Sequence, residues 1–138
     1  MKLLIYSGTE KFVSSGIDSK KQVVEGVDLT QTIEGAYDVI EAFDFIENSE
    51  NENPLEVLIS RLRSGGTLSI QGVESTKVSE LLLEGRIDAN TFSGLLVSGK
   101  TRASKVDDIV KQLESKSGYD VQFAGINGIN YIVEILRK

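Results

Sequence analysis

The end of the chain constrains the fold most tightly. Residues 119–126 and 129–136 are two runs rich in β-branched and aromatic side chains, and Asn127-Gly128 stands between them. Asn-Gly is the preferred pair for a type I′ turn, because both central residues then need a positive φ that these two tolerate. The pattern predicts a terminal β-hairpin. A hairpin alone is marginally stable, so it must join a larger sheet.

The rest of the chain supplies that sheet. Residues 2–6 (Lys-Leu-Leu-Ile-Tyr) read as a short buried strand stopped by Ser7-Gly8. Residues 14–18 suit a second short edge, and Gln22-Val23-Val24 and Gly26-Val27-Asp28-Leu29 carry strand and turn signals. Residues 37–42 form a better strand, followed by a polar loop at 48–53. A helix then begins with Asn53 as cap, Pro54 at its first position and Glu56 three residues after the cap. Leu55, Leu58, Ile59 and Leu62 recur on one face of it. Gly65-Gly66 ends this helix, and residues 67–71 alternate like a strand.

Residues 75–83 predict a short helix with Val78, Leu81 and Leu82 inward, whereas 86–99 fits neither period cleanly. Ser104-Lys105-Val106-Asp107 has the form of a capping box, opening a helix with Val106, Ile109, Val110 and Leu113 on one face. Strands alternating with helices predict an α/β fold with a mostly parallel sheet, and the final hairpin makes that sheet mixed.

Composition narrows the function. The 138 residues suit a single domain spanning 1–138. There is no Cys and no His. Disulfides, thiol chemistry, Cys/His zinc sites and a histidine general base are therefore excluded. The net charge of -6, with no basic cluster denser than Lys100, Arg102 and Lys105, argues against a nucleic-acid partner. No apolar run approaches the roughly 20 residues of a membrane span, and the apolar start is too short for a signal peptide. A cytoplasmic protein with no membrane partner is expected. Glu47, Glu50, Glu52 and Glu56 lack the spacing of a calcium loop, so no metal site is expected.

Residues 37–48 (Tyr-Asp-Val-Ile-Glu-Ala-Phe-Asp-Phe-Ile-Glu-Asn), the helix after them and residues 62–70 (Leu-Arg-Ser-Gly-Gly-Thr-Leu-Ser-Ile) form a distinctive series. It resembles strand four, helix and strand five of the class I S-adenosylmethionine-dependent methyltransferases. Glu47-Asn48 stands where that family often has Glu-His, and Ser64 where it often has Pro. The N-terminal half is similar to a compact subgroup of the same family. Leu4-Ile5-Tyr6-Ser7-Gly8, Gly16-Ile17-Asp18 and Val27-Asp28-Leu29 follow one another in its order.

The resemblance implies a Rossmann-like methyltransferase fold: a mostly parallel mixed sheet, helices on both faces and a C-terminal antiparallel β-hairpin. It implies S-adenosylmethionine as cofactor and an acceptor that the residues do not name. Carried over by position, Tyr6, Ser7 and Gly8 would form the cofactor turn, Asp18 would meet the ribose, and Asp28 would lie near the adenine edge. Glu41, Ala42 and Phe43 would border the methionine end, and Asp44 the substrate. The chain departs from the family at Tyr6, where the first turn glycine is expected, and at Leu4, where an acidic residue is common.

Two functions follow from that pattern. One is an active methyltransferase. The other is an inactive homologue acting as a binding or interaction module. On purely local grounds Ser7-Gly8 also reads as an ordinary strand-ending turn, and Asp18, Asp28, Glu41 and Asp44 as solvated carboxylates. A chain this short leaves little for a lid over the cleft beyond residues 86–102, so a bulky acceptor or a homodimer that completes the site fits it.

Overall fold

Eleven elements succeed one another in a computed structural model that describes residues 1–6, 21–26 and 28–138. In chain order they are β1 (Lys2–Tyr6), β2 (Lys21–Glu25), β3 (Tyr37–Phe43), α1 (Phe45–Asn48), α2 (Pro54–Ile59), β4 (Leu62–Val73), α3 (Ser75–Leu83), α4 (Ala89–Leu96), α5 (Val106–Glu114), β5 (Tyr119–Asn127) and β6 (Asn130–Arg137). The strands form one sheet in the order β2-β1-β3-β4-β6-β5. β2, β1, β3 and β4 are parallel, and β6 runs antiparallel between β4 and β5. This is the mixed α/β sheet with a terminal hairpin that the sequence predicts.

The core lies on the sheet face that carries Leu3, Ile5, Ile40, Ala42, Leu68, Ile70, Val133 and Ile135, all buried. Leu55, Leu58 and Ile59 of α2 and Ile109 and Leu113 of α5 pack into the same cluster. Burying each such side chain contributes roughly 1.5–3 kcal/mol, so this face holds the layers together. The remaining helices add less: α3 buries only Val78, and α4 buries nothing. Leu81 and Leu82 are therefore half-buried rather than inward, and Leu83 is 88% exposed. Among the described residues no helix is long and apolar enough to cross a membrane.

Several boundaries differ from the sequence expectation, each for a physical reason. Leu62 does not belong to the helix; α2 stops at Ile59, and Leu62 opens β4 opposite Tyr37. A residue at the i+7 position of a helix and the first buried residue of a strand look alike in sequence, and pairing with β3 decides between them. Gly65-Gly66 consequently lies inside β4, where a register shift absorbs extra residues before Thr67 pairs with Val39. Gly65 has φ 80°, and a Cβ on Gly66 would fall 2.8 Å from Leu62 Cδ1, so both glycines are needed there.

The helix caps also differ. Asn53 makes no side-chain cap to α2. Ser104 does not cap α5 either; the N–H of Val106 donates instead to Glu74 Oε2 at 2.7 Å. The stretch that fits neither period folds as α4, capped by Asp88, which accepts from Thr91 N at 2.7 Å. In the hairpin Asn127 pairs with Asn130, so the two-residue loop is Gly128-Ile129. Only Gly128 of these has positive φ, 64°. A type I′ turn needs positive φ at both positions, which β-branched Ile129 resists; the loop has the II′ pattern with Gly first.

A candidate cofactor crevice

The strand order fixes where a ligand site belongs. From β1 the chain moves to β2 on one side, then returns to place β3 on the other. Such a reversal opens a crevice at the carboxyl ends of the parallel strands. Here those ends are Tyr6 of β1 and Phe43 of β3, which are register partners. Tyr6 also pairs with Glu25 at the end of β2, and Phe43 with Gln71 of β4. Side chains of register partners point to the same face. Glu25, Tyr6, Phe43 and Gln71 therefore form one row along the mouth of the crevice.

Tyr6 ends β1 as an ordinary strand residue. Its carbonyl accepts from Gly26 N at 2.6 Å, which ties the turn after β2 to the crevice. Gly26 takes φ 96° there. Asp28, exposed just beyond, accepts from Thr30 N at 3.0 Å, and that bond lowers its carboxyl below the ordinary value. Ser7, Gly8 and Asp18 lie outside the described residues, as does the expected strand edge at 14–18. The second strand of the sheet is Lys21–Glu25, so the carboxylate at its end is Glu25. Sequence reasoning passed over Glu25; its one local sign is the β-branched pair Val23-Val24 followed by Glu and Gly.

The β3 end is more heavily constrained. Phe43 closes the strand, so Glu41 stands two residues inside it, and Ala42 is fully buried on the core face. Glu41 borders a separate groove of about 290 Å3 on the sheet face, with Val39, Ser69 and Glu134. Asp44 adopts left-handed backbone, φ 55° and ψ 25°, alone in this among the described non-glycine residues. Its N–H donates to the Gln71 carbonyl at 2.8 Å, and Asn48 Nδ2 donates to the Asp44 carbonyl at 2.7 Å. Off-region backbone held by surrounding bonds concentrates at functional sites.

Directly behind this turn sits a second residue to which the sequence reading gave no place in the site. Glu47 of α1 is only 3% exposed. Tyr131 Oη donates to its Oε1 at 2.8 Å and lies 3.0 Å from Oε2. Gly72 makes the room: a Cβ there would fall 1.8 Å from Glu47 Oε1. Burial is the largest influence on the carboxyl and pushes it up from 4.5 to about 7; the Tyr131 hydrogen bond pulls it down, and the charge of Asp44 pushes it up again. Tyr131 is in turn raised well above its ordinary value, by burial and then by the charge of Glu47. On the outer side the Glu47 carbonyl accepts from Thr101 N at 2.8 Å. The Thr101 hydroxyl donates to the Ser49 carbonyl at 2.6 Å and lies 3.0 Å from that of Glu47.

Among the described residues no three or more Asp and Glu side chains come together as a metal site would require. A larger open hollow, about 590 Å3, lies at the other end of the sheet beside Ser60, Lys116 and Tyr119. It faces the amino ends of the parallel strands, away from the reversal of strand order, and most of its boundary is solvent. Topology therefore favours the crevice over the hollow.

No protein-family model matches the chain, and no curated protein matches it in sequence. Solved structures do match in shape. A possible histamine N-methyltransferase from Thermotoga maritima superposes with a TM-score of 0.59 at 15% identity, over 86% of this chain and 65% of that one. A methyltransferase from Mesorhizobium loti gives 0.58 at 12% identity, over 90% and 72%. Magnesium protoporphyrin IX methyltransferase from Synechocystis PCC 6803, solved with bound S-adenosylhomocysteine, gives 0.55 at 20% identity. That match spans 86% of this chain but 52% of the other, so the present chain corresponds to about half of that enzyme. With its strand order, its switch-point crevice and these superpositions, the chain has the fold of the class I S-adenosylmethionine-dependent methyltransferases.

Proposed function

We propose that this chain binds S-adenosylmethionine in the crevice between β1 and β3 and acts as a methyltransferase on an acceptor still to be identified. The row Glu25, Tyr6, Phe43 at the strand ends carries the reading. A carboxylate at the end of β2 accepts hydrogen bonds from vicinal ribose hydroxyls. Two aromatic side chains beside it offer flat faces to a purine, and favour a sulfonium cation through the ring quadrupole. Glu25 thus takes the role that the family resemblance assigned to Asp18.

The cofactor supplies a methyl group on a sulfonium, which a nucleophile displaces. Such a reaction asks the protein chiefly for positioning, so the absence of histidine is no obstacle. Asp44, half-buried at the end of β3, is the carboxylate best situated to orient an acceptor amine or hydroxyl and receive its proton.

Tyr6 favours a second reading. A bulky ring stands close to where the family keeps a glycine, which suits a module that binds the nucleoside without transferring a methyl group. Calorimetric titration separates the cases. On the first reading both S-adenosylmethionine and S-adenosylhomocysteine bind, and Glu25→Ala weakens them roughly tenfold or more, as loss of a charged hydrogen bond does. Binding unchanged in Glu25→Ala would remove Glu25 from the site. Binding without methyl transfer to any of a panel of amines, hydroxyls and carboxylates would leave the second reading.

A further inference from the structure

Among the described residues two acidic side chains are buried, Glu47 and Glu74, and they are not alike. Glu74 meets the Val106 N–H at the start of α5, where a helix favours negative charge. Glu47 meets one phenol hydroxyl. Among the described residues no ion pair reaches it. The groups that face it can be named element by element. From its own turn comes the carboxylate of Asp44, from β6 the hydroxyl of Tyr131, and from the segment before α5 the hydroxyl of Ser104. β4 contributes Gly72, which has no side chain. Ser104 Oγ is buried close enough to influence both Glu47 and Tyr131, yet makes no well-formed hydrogen bond.

We propose that Glu47 is a positioning residue for the crevice, tying β6 through Tyr131, β4 through the space over Gly72, and the segment before α5 through Thr101, all to the turn at Asp44. The functional consequence rests on the cofactor reading above; the structural one does not. A neutral carboxyl fits this apolar seat and carries an O–H that Ser104 Oγ can accept. An ionised one is a buried charge with no ion pair and with Asp44 nearby, and the hydroxyls of Tyr131 and Ser104 and its own N–H offset burial only in part. The seat is therefore firm when Glu47 is protonated and loosens as pH rises through about 7. The Asp44 turn and the Thr101 bonds loosen with it, and a ligand held by that turn binds less tightly in alkaline solution.

Amide hydrogen exchange on the full chain at pH 6 and pH 8.5, corrected for intrinsic rates, reads the seat without any ligand. Protection at the Asp44, Ser49 and Thr101 amides is expected to fall at least tenfold in the wild type, beyond any change in β5. Glu47→Gln, which keeps shape and acceptor but cannot ionise, should change less than twofold. Tyr131→Phe removes a bond that favours the ionised form, so the pH at which protection falls should move upward. A merely structural contact would not move that midpoint. Equal pH dependence in wild type and Glu47→Gln overturns the inference.

Titration with S-adenosylhomocysteine at the same two pH values adds the functional arm. Affinity is expected to weaken at least fivefold in the wild type and to stay constant in Glu47→Gln. An exchange response with no binding at either pH sinks the cofactor reading and leaves Glu47 as the positioning residue of the turn. Binding with pH-independent affinity and exchange sinks the role of Glu47 alone.

Discussion

The two ends of the sheet treat charge in opposite ways. At the amino ends of the parallel strands, charges meet at the surface. The Met1 ammonium and Arg63 each lie 2.8 Å from the Asp38 carboxylate, and Lys116 pairs with Glu56. The ammonium hydrogen bond is the main reason that Asp38 titrates below its ordinary value. Arg137 donates to the Leu62 carbonyl and lies over the Tyr119 ring, closing the hairpin onto β4. At the carboxyl ends, Asp44 is held in left-handed backbone and Glu47 is buried with a tyrosine as its partner. One end is made of many solvated contacts, each worth little. The other concentrates left-handed backbone at Asp44 and a desolvated acid at Glu47 in a few residues, which is what motivates the proposed site there.

The sharpest way to break this contrast is Gly72→Ala. The new Cβ would meet Glu47 Oε1 at 1.8 Å and Tyr131 Oη at 2.7 Å. Overpacking plus a displaced buried hydrogen bond should cost about 4 kcal/mol, measured by urea unfolding at pH 6. A loss under about 1 kcal/mol would mean that the Glu47 seat is not close-packed.

Glu47→Gln follows in size and has the opposite sign. The native carboxyl titrates at about 7 and the unfolded one near 4.5, so the native state binds more protons between those values. Stability falls as pH rises through that window, by about 3 kcal/mol in full above it. The glutamine variant should be more stable than the wild type by about that amount at pH 8, with the gain gone at pH 4. Parallel stability curves for the two proteins across pH 4 to 8 would refute the burial of an ionisable group here.

Asp44 is the third case. Alanine at φ 55° carries a steric penalty that glycine lacks, so Asp44→Ala should be about 1 kcal/mol less stable than Asp44→Gly. Equal melting points for the pair would place Asp44 in unstrained backbone. Smallest of all is Lys116→Met at the opposite end. Its partner Glu56 is half exposed, so the change should stay within about 1 kcal/mol and fade with added salt.

Much of the architecture was legible because local and tertiary preferences agree. The terminal hairpin, the strand at Lys2–Tyr6 and the helix at Ser75–Leu83 follow from their patterns. The disagreements arise where a distant partner decides. Leu62 suits a helix face until Tyr37 pairs with it. Ser104 looks like a cap until Glu74, far back in the chain, reaches Val106 N first. The site was less legible for the same reason. Glu25 ends an edge strand whose Val23 is 55% exposed, so no buried alternation marks it. Glu47 adjoins a loop of Glu and Asn that reads as solvated. Its burial depends on Tyr131, 84 residues away, and on a side chain that Gly72 does not have.

The strand order marks the carboxyl ends of β1 and β3 as the ligand site and the open hollow lies at the amino ends, and on the proposed function only the first should answer to S-adenosylhomocysteine. Titration of the isotopically labelled protein with S-adenosylhomocysteine, followed amide by amide in nuclear magnetic resonance, tests this most directly. The account predicts saturable shifts at Tyr6, Glu25, Gly26, Phe43 and Asp44, with Ser60, Lys116 and Tyr119 unmoved. Shifts confined to Ser60, Lys116 and Tyr119, or none at millimolar ligand, would contradict it.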